Sequence, residues 1–432
     1  MSTHIMDYYV EEQLNDLLGK RDEPEWMQQF RQRAYGEYVK QPWPSTTDEA
    51  WRRTNISHID FPSYEPLNGR VEPEPLRTEE QSAAYSGEIT FHGSRSATGY
   101  LTQSAERQKI IFSSLEDAVH NHSDLVQTYF MKNRLAPEQG KFQSLHAAFW
   151  THGVFLYVPE FVEVDLPIRI IFEESGYRKA SLPHVLIILE RGSKVRLQHF
   201  IRSLDMDERL RNAVVSINVA DGASLEYTEI QNLNSETYNF LNGNISIGRD
   251  ASVHTLVAAF GSKLTKHVLT SDLIGTGAHA KLQGIYFADQ YQHIDLETLQ
   301  QHEAPHATSN LLYKGAVKDR AHAIYQGMIK VYPDAQLTDA YQMNKNLLLN
   351  DQAHADSIPS LEIEANDVKC SHGSTVGKVN DEELFYLMSR GLSATDAKQM
   401  IVTGFFEDIL NDQPQDVREL LSASIEKELA EL

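Results

Sequence analysis

The run Ala213-Val-Val-Ser-Ile-Asn-Val219, the turn Ala220-Asp-Gly-Ala223 and the run Ser224-Leu-Glu-Tyr-Thr-Glu-Ile230 decide the reading of this chain. Both runs are short, rich in β-branched and aromatic residues and bounded by turn chemistry, so each reads as a strand. The same unit recurs. Gly192-Ser193, Gly222-Ala223, Asp250-Ala251 and Gly277-Ala278 lie 30, 28 and 27 residues apart, with the runs Ser252–Ala258 and Ala280–Phe287 between later members. Arg320-Ala321, Asp334-Ala335 and Gln352-Ala353 continue the form at less even intervals. Paired short strands at a period near 28 are what stacked coils of a β-solenoid produce, because no coil can bury its inward side chains without a neighbour. A β-sandwich with coincidental turn chemistry is the competing reading.

Outside this texture the chain is helical at both ends and mixed between. Tyr8–Lys20 and Glu23–Lys40 carry apolar residues at three- and four-residue spacing. Pro42, Pro44, Pro62, Pro66, Pro73 and Pro75 break any longer helix. Ile89–His92 and Lys109–Phe112 read as strands and Ser114–Met131 as helix, which makes residues 1–142 an α/β region ahead of a β core at 143–379. Residues 380–432 return to helix: Asn380 with Glu383 forms a capping-box variant, Gly391 terminates, Ser393 with Asp396 opens a second helix, and Pro414 suits the first turn of a third. Leu384, Phe385, Met400, Phe405 and Phe406 fall on several faces of these helices, more apolar surface than three short helices bury among themselves.

Composition narrows the function. A net charge of −22 argues against nucleic-acid binding, which needs clustered Lys and Arg against phosphates. No apolar run approaches the ~20 residues of a membrane helix, and the first residues lack the basic and apolar regions of a secretory signal. A single cysteine, Cys370, forbids an intrachain disulfide and fits a reducing, cytoplasmic setting.

That cysteine lies in Asn366-Asp-Val-Lys-Cys-Ser-His-Gly-Ser-Thr-Val-Gly377. In an extended chain the period of two puts Cys370 and His372 on one face. A thiolate beside an imidazole can ligate iron or zinc, or act as nucleophile and base; the ordinary alternative is a buried thiol packing beside a hydrogen-bonded histidine. One thiolate cannot close an iron–sulfur site, which takes about four ligands, so any such role needs donors from another subunit. Gly373–Val379 is not a phosphate loop: it is one spacer short, and Val379 stands where Ser or Thr must hold magnesium. The 18 histidines are scattered, and His322 and His354, each beside an alanine in a turn-like setting, read as ordinary exposed or strand residues.

The stretch Leu361–Gly377, with Asp381–Gly391 and Ala397–Ile401, resembles the SufB/SufD family of SUF iron–sulfur cluster assembly proteins, and Glu49–Asn55 and Leu145–Pro159 are similar in character. The resemblance implies a right-handed parallel β-helix between helical ends, which disfavours the sandwich. It implies a non-enzymatic scaffold subunit that pairs with a SufB-like paralogue through the β-helices and recruits a SufC-like ATPase through the C-terminal helices. SufB-like chains carry a cysteine in a Tyr-x-x-Cys pattern; here Tyr341-Gln-Met-Asn344 stands at that place, so the chain is similar to the SufD branch. Carried over, His372, with Cys370 beside it, helps ligate a transient cluster shared with the paralogue, whereas Asn344→Ala is expected to be nearly silent. Flavin binding and homodimer formation by the isolated chain stay open. A β-helical carbohydrate-active enzyme is the alternative function; it would need acidic residues grouped on one coil face and usually a secretion signal.

Overall fold

Within Ser224–Leu233, alternate residues face opposite ways: Leu225, Tyr227 and Glu229 are buried, while Ser224 and Glu226 face outward. In the computed structural model, which describes residues 9–66, 72–73, 77–79, 84–93 and 96–430, the strand stacks in parallel on Lys194–Ser203 and Ser252–Gly261 without a shift in alternation. The inward stack continues through Val253, Ala280, Ser309 and Ala340. Two long sheets result, one ending on His354–Ile363 and the other on Lys369–Lys378, and the chain crosses between them at every half-coil. This is a parallel β-solenoid of about eight turns, with 44% strand against 26% helix, so the molecule is mainly β as the turn repeat predicts.

The corners explain the sequence signal. Gly192, Gly222, Asp250 and Gly277 have φ of +68°, +67°, +55° and +73°, the left-handed conformation that bends the chain from one sheet to the other. The alanine that follows three of them, Ala223, Ala251 or Ala278, is buried at the corner, where a larger side chain would not fit. The less even later intervals have a geometric cause. Arg320-Ala321 and Gln352-Ala353 precede His322–Val331 and His354–Ile363, strands of the first sheet, whereas the earlier turns precede strands of the second. Two interleaved series of corners share one residue pattern.

The solenoid interior is a continuous apolar stack from Ile89 and Phe91 to Tyr325 and Ala353. Its outer faces are clad differently. Helices Glu11–Lys20, Glu25–Lys40 and Lys141–Phe149 cover the first sheet, with Phe142, Phe149 and Trp150 against Leu186, Val214 and Phe240. The last of these helices crosses the expected division at 142/143, and Gly87–His92, well before it, already pairs in parallel with Ile168–Glu174. Ser114–Met131 contains two short helices, Leu115–Asn121 and Ser123–Tyr129, broken at His122, whose φ of −132° is not helical. The first helix starts at Glu11; Tyr8, like Pro75, lies outside the described residues.

The C-terminal helices Asp381–Ser389, Ala394–Leu410 and Gln415–Leu429 begin where the caps predict. Asn380 accepts from the Glu382 N–H at 2.9 Å and Ser393 from the Asp396 N–H at 3.1 Å, Pro414 stands at the N-cap, and Gly391 has φ of +98°. The latter two helices lie along the outer face of the second sheet, where Val402, Phe406, Ile409 and Leu421 meet Leu256, Phe260, Ile285 and Phe287. Lys314 Nζ fastens them through the Phe405 carbonyl and Asp408, both at 2.6 Å, and Lys318 Nζ through the Glu428 carbonyl at 3.0 Å.

Candidate functional site

The end of the solenoid is uncapped. Among the described residues, strand Lys369–Lys378 pairs only with Asp339–Leu348, and His354–Ile363 only with His322–Val331, so each presents one free backbone edge. Natural sheets usually blunt such edges or cover them with another chain. Here the free side carries exposed Val376 and Ile363.

Cys370 and His372 sit on this last rung. Cys370 continues the inward stack Leu225–Val253–Ala280–Ser309–Ala340, and His372 ends the stack Tyr227–Thr255–Leu282–Leu311–Gln342. The expectation that the two share a face follows from this register. Cys370 is half-buried against a small apolar group of Ile329, Val331, Ala335 and Ala340, whereas His372, with no coil beneath it, is exposed. Burial pushes the Cys370 thiol above its usual range and the Asp339 carboxylate adds to this, opposed by a backbone hydrogen bond from Ala340. The pair is therefore not built as an activated nucleophile. A metal here must displace the thiol proton, which makes binding weaken as pH falls.

Gln342, directly above His372, went unnoticed in the sequence. It is fully buried, yet neither its amide nitrogen nor its oxygen has a hydrogen-bond partner among the described residues. Buried unpaired amides are costly, so this one calls for a partner at the open end. The available signal was the coil period, since Gln342 precedes His372 by 30 residues. Asn344 lies deeper. Its Nδ2 donates to the Tyr286 hydroxyl at 3.0 Å and the Tyr313 carbonyl at 3.2 Å, and its Oδ1 accepts from Asn346 at 2.7 Å. A silent Asn344→Ala is not compatible with these bonds, because truncation removes three buried hydrogen bonds at once.

The residues expected to dock a partner divide. Phe406 is fully buried against the second sheet and Phe405 is half-buried with it, so both belong to the helix–solenoid contact; this corrects their assignment to a docking face. Leu384 is half-buried, Phe385 is 73% exposed and Met400 54%. Helix Asp381–Ser389 buries no residue and also exposes Tyr386 and Met388, leaving a row of large apolar side chains in solvent.

The fold and this end define a class: a parallel β-solenoid whose last strand carries a thiol and an imidazole beside a strand edge left free among the described residues. Residues 171–405 match the SUF system FeS cluster assembly SufBD core domain, and residues 3–170 the SufBD protein N-terminal region. The chain belongs to the SufBD family of iron–sulfur cluster assembly proteins and is SufD-like within it. It is 28% identical over 433 residues to the iron–sulfur cluster assembly protein SufD of Bacillus subtilis (strain 168), covering 97% of this chain and 98% of that protein. It is 27% identical over 428 residues to SufBD family proteins of Staphylococcus saprophyticus and of Staphylococcus aureus (strain MRSA252), covering 93% of this chain and 89% of each relative. Membership sets aside the carbohydrate-active alternative. No helix among the described residues is long and apolar enough to cross a membrane.

Proposed function

We propose that this chain is a non-enzymatic scaffold subunit of the SUF assembly machinery, working in the cytoplasm and contributing His372 and Cys370 to a cluster completed by a SufB-like paralogue. The observation that carries the reading is the uncapped last coil, where the rung that bears the two side chains also leaves a strand edge free among the described residues. A free edge recruits another strand by main-chain hydrogen bonding, and the two donors make up half of the roughly four ligands a cluster takes. The cluster is cargo, held transiently; the remaining donors come from the paralogue. A SufC-like ATPase docks on Leu384, Phe385 and Met400, supported by the exposed apolar row of Asp381–Ser389.

The test is anaerobic reconstitution of the chain alone and with co-expressed paralogue and ATPase. The isolated chain should hydrolyse no ATP and hold no stable cluster absorption, while the complex should build one. His372→Ala should lower cluster yield at unchanged melting temperature and complex formation, with Cys370→Ser weaker in effect. Wild-type yield from both variants, or a robust four-iron spectrum from a monomer, would sink the assignment. Yield that falls only in step with lost complex would make the residues structural.

A further inference from the structure

His322 and His354 begin neighbouring strands and pair directly in register, and Asp356 lies two residues beyond His354 on the same outer face of the first sheet. Their inward neighbours Ala323 and Tyr325 are buried in the solenoid core, which fixes the outward direction of the histidines. The donor atoms, two imidazole nitrogens and one carboxylate oxygen, all lie within 4.8 Å of one another. His322 Nε2 is 3.0 Å from Asp356 Oδ2, His354 Nε2 is 3.6 Å from Oδ1, and the two rings are 4.8 Å apart. One rung away, the His293 ring is 5.2 Å from that of His322, but its Nε2 is engaged at 2.9 Å by the Thr54 hydroxyl.

We infer that His322, His354 and Asp356 form a binding site for a divalent first-row transition ion. Two imidazoles and one carboxylate suit Fe2+, Co2+, Ni2+ or Zn2+ and do not suit Mg2+ or Ca2+, which take oxygen ligands. Metal–donor distances of about 2.0–2.2 Å put tetrahedral donors roughly 3.3 Å apart, so side-chain rotation on a fixed backbone ladder closes the site. All three residues are only partly buried, with side-chain exposures of 30%, 66% and 32%, so the other coordination positions face solvent. Such an open site exchanges its ion, unlike a closed structural one. Arg53 stands beside it, Nε at 3.6 Å from Asp356 Oδ2, and competes for the carboxylate while no ion is bound. The site lies on the opposite sheet of the coil that carries Cys370 and His372, and its existence does not depend on the proposed cluster role.

The experiment uses the full chain, stripped with a chelator and titrated anaerobically with Co2+, followed by its ligand-field absorption, and then with Zn2+ as competitor. One equivalent of Co2+ should bind, be displaced by Zn2+ and be indifferent to excess Mg2+. His322→Ala, His354→Ala and Asp356→Asn should each weaken that equivalent about tenfold or more, and Arg53→Gln should tighten it. Melting temperatures should stay at the wild-type value, because these side chains lie at the surface. If other histidines bind additional ions, the His322→Ala/His354→Ala double variant should still lack one equivalent. Equal binding by wild type and double variant overturns the inference. So does loss of the equivalent in Cys370→Ser or His372→Ala alone, which would place the ion at the free edge. Cluster yield is not read here, so failure of the cluster role leaves this result standing.

Discussion

Asn344 shows how a residue can be identified in sequence and still misjudged. Tyr341-Gln-Met-Asn344 is legible as a place where a cysteine is lacking, and nothing in the local string says that the asparagine is buried. Its partners, Tyr286 and Tyr313, belong to two preceding coils, 58 and 31 residues back, so only the stacked structure assembles the network. Asn344→Ala should therefore lower unfolding free energy by about 1–3 kcal/mol, read by denaturant titration. A variant as stable as wild type would show that the three bonds contribute nothing net. His322 and His354 read in sequence as ordinary strand residues for a related reason: nothing in the local string pairs them, because they are separated by one full coil and meet only in the stacked register. Glu116 offers a pH test. Burial pushes its carboxyl up to about 7 from 4.5, against the pull of Arg21, and both oxygens lack hydrogen-bond partners among the described residues. Between those values the folded chain holds a proton that the unfolded chain releases, so stability declines as pH rises from about 4.5 through 7. Glu116→Gln should flatten that part of the melting-temperature profile and exceed wild type above it. Parallel profiles for the two proteins would refute this.

At the scale of elements, boundaries were easier to read than faces. Asn380, Gly391 and Ser393 announce helix ends by local chemistry, and the structure puts the ends there. Which side of Ala394–Leu410 is buried depends instead on the outer face of the second sheet, supplied by Leu256, Phe260 and Phe287 more than a hundred residues earlier. Five apolar residues on two helices thus looked equally available, although Phe406 is core and Phe385 is solvent-facing. The two should separate cleanly by experiment. Phe406→Ala leaves a cavity between helix and sheet and should cost about 3–5 kcal/mol. Phe385→Asp should change stability by no more than about 0.5 kcal/mol, since it removes no packing, yet should abolish ATPase pull-down while leaving the paralogue bound. Release of the paralogue by Phe385→Asp would place that interface on the wrong element. The solenoid itself was the most legible feature, because four corners, at Gly192, Gly222, Asp250 and Gly277, repeat a left-handed residue before a small one and the repetition survives in a single sequence.

For the whole molecule, the decisive asymmetry is that the stack begins with antiparallel strands and ends with parallel ones. At the start, Ile111–Ser114 pairs antiparallel with His152–Val158, and Gly87–His92 with Ser96–Thr102, so chain reversal terminates the stack there. At the finish both sheets stop in parallel register, with nothing among the described residues paired below them. The N–H groups of Lys369 and Val379 bond upward to Thr338 and Leu348. Since backbone groups alternate in direction along a strand, those of Cys370, His372, Ser374 and Val376 point to the free side. The proposed main-chain pairing and the proposed metal donation thus fall on the same residues, and one substitution can test the first without touching the second. Val376→Lys places a charge on the open edge at an already exposed position, the device by which natural sheets refuse partners. It should leave the melting temperature of the isolated chain unchanged and weaken both self-association and capture of the paralogue, measured by sedimentation and by co-purification. His372→Ala should spare both. If Val376→Lys associates as strongly as wild type, the chain joins its partner through some other face, and the free edge is not the assembly surface.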